Sequence, residues 1–184
     1  MKVRAVVHDL GGKNRGLWKD LEISATCSHF MDPDGSGHSI YFFADAPHLL
    51  KQLKSNCMDD GLILGSGETL HKRDFEQMIE KDNAEIKSNY KLTKDLLNVT
   101  NRDRQNVSQA AKVFSNSSAH LADIVFPENR GKGAFIRLVN DWFDVFNSRT
   151  NKCSSLKAGF GSHFEEQVCT YFLVVVIKVC NLHC

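Results

Sequence analysis

Apolar positions change their spacing partway along this chain, and the change divides it. Val3 to Val7 is a short, nearly continuous apolar run holding three valines, the pattern of a buried strand. Gly11 and Gly12 turn the chain after it, and Leu17, Trp18 and Leu21 then recur at helical spacing, which predicts a helix over Asn14 to Leu21. A turn-rich stretch from Met31 to Gly37 leads into Ser39 to Ala44, where Ile40, Tyr41, Phe42 and Phe43 carry high strand propensity. Asp45 ends this second strand. Pro47 near the start and Leu49, Leu50 and Leu53 on one side predict a helix running to about Asn56, with Asp45 placed as its N-cap.

From Met58 onward strand signals fade and the chain becomes polar and helical in pattern, so a separate, all-helical unit is expected. Its candidate helices are Lys72 to Ser88, the segment around Leu92 to Leu97, Val107 to Ile124, and Gly133 to Ser148. In the fourth, Phe135, Leu138, Val139, Trp142 and Phe146 line one side while Asn140, Asp144 and Asn147 line another, so one stripe packs and the other stays polar. Thr170 to Val179 reads as an isolated β-like run. There is no internal repeat or low-complexity tract.

Composition narrows the classes. The chain has 184 residues, 42% hydrophobic and 24% charged, enough for one domain or one and a half. Lys and Arg number 23 against 22 for Asp and Glu, a formal charge of +1, which is too balanced for a strongly basic nucleic-acid module or an acidic tail. The six cysteines form no C-x-x-C pair of the kind that holds zinc, and with no secretory leader in view a reduced intracellular compartment is expected. The N-x-S/T triplets at Asn98, Asn106 and Asn116 would accept glycans only in a secreted chain. The most apolar run, Tyr171 to Val179, is broken by Lys178 and is far shorter than the roughly 20 residues of a membrane-spanning helix, so no membrane anchor is expected.

Candidate chemistry sits in two places. Asp9 follows the first strand, where α/β sheets present ligands at the carboxyl ends of their strands and where a hard cation such as magnesium finds carboxylate oxygen on rigid backbone. The alternative is an Asp that bonds the turn amides near Gly11 and Gly12. Asp45 repeats the position on the second strand, with the helix N-cap as its alternative. His48 lies one turn on, and Asp-x-x-His puts both side chains on one helix face, although a packing histidine fits as well. The second place is the polar stripe of the fourth helix. A carboxylate accepts hydrogen bonds from the N–H groups of a guanine edge, and an amide one turn later adds a donor and an acceptor. Asp144 and Asn147 have that spacing, with Phe143 as a ring face; a solvated stripe beside a core aromatic is the other reading. Gly65-Ser66-Gly67 lacks the Gly-Lys-Ser/Thr ending of a P-loop.

Four blocks carry a resemblance. Val6-Val-His-Asp-Leu-Gly-Gly-Lys-Asn-Arg-Gly-Leu-Trp18 and Tyr41-Phe-Phe-Ala-Asp-Ala-Pro-His-Leu-Leu-Lys51 resemble the central part of P-element-type transposases, the family that includes the THAP-domain transposases. Val107-Ser-Gln-Ala-Ala-Lys-Val-Phe-Ser115 and Phe135-Ile-Arg-Leu-Val-Asn-Asp-Trp-Phe-Asp-Val-Phe-Asn-Ser148 resemble the GTP-binding insertion domain of the same family. The resemblance implies an α+β chain: a partial RNase H-like α/β segment at 1–57, a mainly α-helical GTP-binding insertion domain at 58–165, and an unassigned tail at 166–184. It implies DNA transposition by metal-dependent phosphodiester cleavage and strand transfer, with Mg²⁺ on Asp9 as the second of three catalytic acids and Asp45 and His48 as the supporting Asp-x-x-His element. The first and last acids are not evident in the chain, so a catalytically incomplete fragment is expected. GTP is expected as a positioning cofactor, not a fuel, with Phe143, Asp144 and Asn147 at its guanine end and Lys91, Val107 and Ser115 contributing elsewhere. DNA transposon ends, GTP and a possible homo-oligomer are the implied partners, and the nucleus the implied location. Two further readings stay open: a domesticated nucleotide- or protein-binding helical module without nuclease activity, and the nonfunctional product of a degraded element.

Overall fold

The computed structural model describes residues 2–9, 11–24, 27–84 and 91–147. The chain divides into two compact units between Leu49 and Leu50. The expected β-like run at Thr170–Val179, the tail at 166–184 and the ends of two expected helices, at Ser88 and Ser148, lie outside the described residues.

The first unit begins with β1 (Ala5–His8), followed by α1 (Gly12–Asp20), β2 (His29–Met31) and β3 (Ser39–Ala44). The sheet order is β1-β3-β2. β3 is central because it carries the longest β-branched and aromatic run, and it pairs in parallel with β1, Ala5 opposite Tyr41 through His8 opposite Ala44. Two parallel strands need a crossover, and α1 lies in it. β2 joins the other edge in antiparallel register, Phe30 opposite Ile40. The sequence pattern missed this strand, since three residues are too few for period two to show. Alternation along β3 buries Ile40 and Phe42, which form the small core with Ile23; Val6, Trp18, Leu21 and Phe30 pack against it. The opposite face leaves Val7, Met31, Tyr41 and Phe43 exposed.

The division between the units falls inside α2 (Ala46–Asp59). The second unit is not all helical, contrary to the sequence expectation. Leu62–Ile63 (β4) and Thr69–Leu70 (β5) form an antiparallel hairpin whose strands are too short to leave a period-two signal. Helices α3 (Lys72–Ala84), α4 (Val107–Val113), α5 (Asn116–Val125) and α6 (Arg130–Phe146) follow, with a 3₁₀ turn at Lys94–Leu97. The single helix expected over Val107–Ile124 is two helices. Phe114 leaves helical geometry, and the Ser115 hydroxyl accepts from the Ser118 N–H to start α5 afresh. The fourth expected helix is present as α6, which begins three residues earlier than its apolar stripe suggested.

This unit has the larger core. Leu70, Phe75, Met78, Ala110, Val113, Ala119, Ile136 and Val139 are fully buried, and the rings of Phe75 and Phe114 meet edge to face at 6.2 Å. A four-residue connection, 126–129, joins α5 to α6. Arg137 Nη2 pairs with Asp123 Oδ2 at 2.7 Å, and Gly133 lies so close to Ala119 O and Asp123 that a Cβ there would collide. α5 and α6 are therefore an antiparallel hairpin.

Candidate functional site

Asp9 and Asp45 each follow the last paired residue of adjacent parallel strands, and the Asp45 N–H extends the ladder to His8 O at 2.9 Å. Their carboxylates are held differently. Asp9 Oδ1 accepts from the Gly11 N–H at 3.0 Å and from Asn14 Nδ2 at 2.6 Å, and the same Asn14 amide also donates to Asp9 O at 3.1 Å. The Gly11 amide first, and Asn14 second, hold the Asp9 carboxyl below its ordinary pKa, with smaller help from His48 and His8. Oδ2 takes no hydrogen bond among these contacts, and the residue is exposed. The turn-amide reading of Asp9 and an accessible carboxylate oxygen thus coexist, one on each oxygen.

Asp45 Oδ2 accepts from the His48 N–H at 3.2 Å, which is the N-cap bond of α2. Asp45 and His48 are both half-buried. Asp9, Asp45 and His48 do not bring three ligand atoms together among the described residues. A hard divalent cation fits Asp9 through Oδ2, because magnesium is commonly held by one or two carboxylates with water and phosphate oxygens completing its shell. Bound there, it would supply Lewis-acid polarisation of a phosphoryl oxygen. Asn14 and Gly11 would keep the carboxylate charged and aimed.

His8, the last residue of β1 and the neighbour of this acid, has both ring nitrogens engaged. Nε2 lies 2.6 Å from the Trp18 Nε1–H, which donates to it, and Nδ1 lies 2.6 Å from Asp9 O. Trp18 is only a donor, so the proton on His8 belongs on Nδ1. Neither Asn14 nor Trp18 carried a functional signal in the sequence, since each acts only through the turn that brings it back to the strand end.

The second region lies at the C-terminal end of α6. Phe143 is buried, with its ring 6.2 Å from that of Trp142. Asp144 is half-buried, and Asn147 is exposed and caps the helix through its N–H to Phe143 O at 2.9 Å. Asn140 Nδ2 spans Asp141 Oδ1 at 3.2 Å and Asp144 Oδ2 at 3.4 Å. Burial, and then the neighbouring Asp144 charge, push the Asp141 carboxyl above its ordinary pKa against the pull of Asn140 and Arg137. Asp141 and Asn140 thus join Asp144 and Asn147 in one polar helix end, and sequence reasoning missed Asp141 because it follows directly on Asn140 and stands beside the apolar stripe.

The antiparallel hairpin sets Ser115, the N-cap of α5, level with about residue 139 near the middle of α6, some 8 Å along the helix axis from Asp144 at 1.5 Å per residue. Val107 opens α4, one short helix away from Ser115, and Asn106 caps that helix by accepting from the Gln109 N–H at 3.0 Å. Lys91 is exposed, ahead of the 3₁₀ turn. Phe143, Asp144 and Asn147 thus share the C-terminal end of α6, while Ser115 starts α5 and Lys91 and Val107 stand on other elements of the same unit. That end offers carboxylate acceptors at Asp141 and Asp144 and an amide with both donor and acceptor at Asn147.

A buried cation supports the approach to α4. Lys54 is 1% exposed, and its Nζ donates to Asn98 O at 3.2 Å and Gln109 Oε1 at 2.9 Å; Gln109 Nε2 in turn donates to Asp103 Oδ1 at 3.0 Å. Burial lowers the Lys54 pKa while the Asp103 charge opposes the shift. The network ties α2 to residues 98–109.

Fold and site together define a mixed α+β chain in which a helical unit, polar at one helix end, follows a small sheet with carboxylates at its strand tips. The chain belongs to the TNP-like, GTP-binding insertion domain family, whose sequence profile matches residues 47–159. It is 32% identical over 174 residues to the Transposable element P transposase of Drosophila melanogaster, an alignment covering 90% of this chain and 23% of that protein. It is 26% identical over 135 residues to the human DNA transposase THAP9, covering 70% of this chain and 15% of that one. The Drosophila P element transposase strand transfer complex contains a chain of similar fold, with a TM-score of 0.79 at 26% identity, covering 98% of this chain and 48% of that chain. The resemblance to P-element-type transposases is thereby confirmed. The chain spans less than a quarter of the length of these curated relatives.

Proposed function

We propose that this chain is the part of a P-element-type transposase in which an RNase H-like nuclease segment, 1–57, meets a GTP-binding insertion domain, 58–165. The helical unit binds GTP as a positioning ligand. Asp144 accepts from the guanine N–H groups, Asn147 and the Phe143 ring complete the base contact, and Ser115, Val107 and Lys91 serve the remainder of the nucleotide. Transposon-end DNA is the substrate of the protein as a whole, a homo-oligomer its working form and the nucleus its location. Asp9 holds Mg²⁺ for phosphodiester chemistry, with Asp45 and His48 fixing the neighbouring strand end. The observation that carries the nucleotide reading is the pairing of the half-buried Asp144 carboxylate with Asn147 at the end of α6, in a chain whose family is named for GTP binding.

The test is a titration of the full chain with fluorescent GTP and ATP analogues. Saturable binding that prefers guanine is expected, and Asp144→Asn should cost about 10- to 100-fold in GTP affinity, the worth of hydrogen bonds to a charged acceptor. Equal binding of both nucleotides, or none, removes the reading.

A further inference from the structure

Helix α1 turns two polar side chains back on the strand that precedes it. Asn14 and Trp18 stand four residues apart, on one face of the helix. Asn14 reaches Asp9, and Trp18 reaches His8. The Trp18 ring also packs against the small core of Ile23, Ile40 and Phe42. That packing uses only the apolar body of the side chain, which a phenylalanine would supply. The indole N–H is spent elsewhere: it donates to His8 Nε2 at 2.6 Å.

The effect of that bond reaches Asp9 through the backbone. The ladder between β1 and β3 closes with the Asp45 N–H on His8 O at 2.9 Å. The next carbonyl, Asp9 O, takes side chains instead, with His8 Nδ1 at 2.6 Å and Asn14 Nδ2 at 3.1 Å. The same Asn14 amide holds Asp9 Oδ1 at 2.6 Å, beside the Gly11 N–H at 3.0 Å. One amide thus grips the main-chain carbonyl and one carboxylate oxygen of a single residue, so the direction of the Asp9 side chain follows that of its carbonyl.

His8 can fix this carbonyl only with its proton on Nδ1. In a neutral imidazole the bond made by one nitrogen decides which nitrogen carries the proton, and an indole can only donate. Trp18 therefore makes Nε2 the acceptor and Nδ1 the donor. The rings of Trp18 and Phe42, edge to face with the imidazole at 5.7 and 5.5 Å, hold it in that orientation.

We propose that His8 and Trp18 are positioning residues for Asp9. Trp18 sets the tautomer of His8, His8 holds the Asp9 carbonyl, and Asn14 passes that order to the carboxylate, so that Oδ2 is presented in one place. The role rests on the reading of Asp9 as the acid that holds a divalent cation. Partners that orient a metal ligand in this way are typically worth about 10- to 100-fold in metal affinity.

The test separates positioning from packing, and both from the metal reading itself. In the full chain, labelled with ¹³C and ¹⁵N and free of metal, His8 ring shifts report the tautomer, and three-bond couplings from Asp9 Cγ to its backbone report χ1. One tautomer, protonated on Nδ1, and one Asp9 rotamer are expected. Trp18→Phe keeps a ring in the core but should mix the His8 tautomers and average the Asp9 couplings. His8→Gln, which can still accept from Trp18 but has no donor in place of Nδ1, should average them too. His8→Asn, whose amide takes the place of Nδ1, should restore a single rotamer. Mn²⁺ alone is then titrated while broadening of the Gly11 N–H is followed. Trp18→Phe and His8→Gln should weaken the response about tenfold, and His8→Asn should recover most of it. Unchanged Asp9 couplings in both Trp18→Phe and His8→Gln, or averaging in His8→Asn as complete as in His8→Gln, would overturn the proposal. A wild-type chain whose Gly11 signal ignores Mn²⁺ would remove the metal reading, and the couplings decide the positioning without it. Far-UV circular dichroism confirms that each variant is folded.

Discussion

Single carboxylates in this chain are tuned in opposite directions, and the difference is testable. Asp9 has its pKa lowered below the ordinary 3.8 by the Gly11 amide and by Asn14. A carboxyl depressed by folding contributes stability above its unfolded pKa, and that contribution is lost as the pH falls through the folded value. Asn14→Ala removes one of the two donors, so the Asp9 pKa measured by ¹³C NMR should rise toward 3.8 while Gly11 keeps it from reaching that value. An unchanged titration would mean that Asn14 does not hold the acid. Asp141 is the reverse case. Its pKa is raised first by burial, so ionising it costs stability at any pH above 3.8, and below that pH the cost vanishes. Asp141→Asn should therefore raise the melting temperature at pH 7 and leave it nearly unchanged at pH 3. A gain of equal size at both pH values would point to a cause other than charge.

Elements are bounded here by side chains that the apolar pattern does not register. The continuous helical spacing of Val107–Ile124 conceals a break, because Ser115 and Ser118 look like ordinary polar positions until the hydroxyls are placed. Ser118 is fully buried; its Oγ donates to Lys112 O at 3.2 Å and lies 3.1 Å from Ser115 Oγ, pinning the end of α4 to the start of α5. Ser118→Ala should destabilise the helical unit by about 1 kcal/mol, the net worth of the hydrogen bond it makes between α5 and the end of α4, as read from urea denaturation. The β4–β5 hairpin is hidden for a different reason. Its strands have two residues each, and the turn into it depends on Gly61 at φ +81°, where a Cβ would also strike the His71 ring. α6 was legible because its stripe is long, and seventeen residues give the 3.6-residue period room to show.

At the scale of the whole molecule the two units differ in how much they bury. In the first, Ile23, Ile40, Phe42, Ala46 and Leu49 are the buried apolar residues, while the second buries most of the remainder, including Phe75, Phe114, Ile136 and Trp142. Small cores are marginal because too little surface leaves water on folding. Each unit holds one of the two tryptophans, so Trp142→Phe and Trp18→Phe give one reporter apiece. In urea the Trp18 signal should change at a lower midpoint than the Trp142 signal. Coincident transitions would show that the units unfold as one.

Strand ends, the polar stripe of α6 and the family blocks were readable because each is local: a few residues of the right type at a fixed spacing. Asp9, Asp45, Asp144 and Asn147 all came from such patterns. What the chain alone could not reveal are partnerships between distant residues. Lys54 with Gln109, Asp123 with Arg137 and Asp74 with Lys132 are separated by 55, 14 and 58 positions. Even the near neighbours Asp32 and His38 meet only after Gly35 and Gly37 reverse the backbone. Amino-acid order determined which segments are strand or helix and which acids end them, since those follow from periodicity and propensity. Only the tertiary structure decided which oxygen of each acid is occupied and which polar groups converge, because direction and burial exist only once the chain has closed on itself.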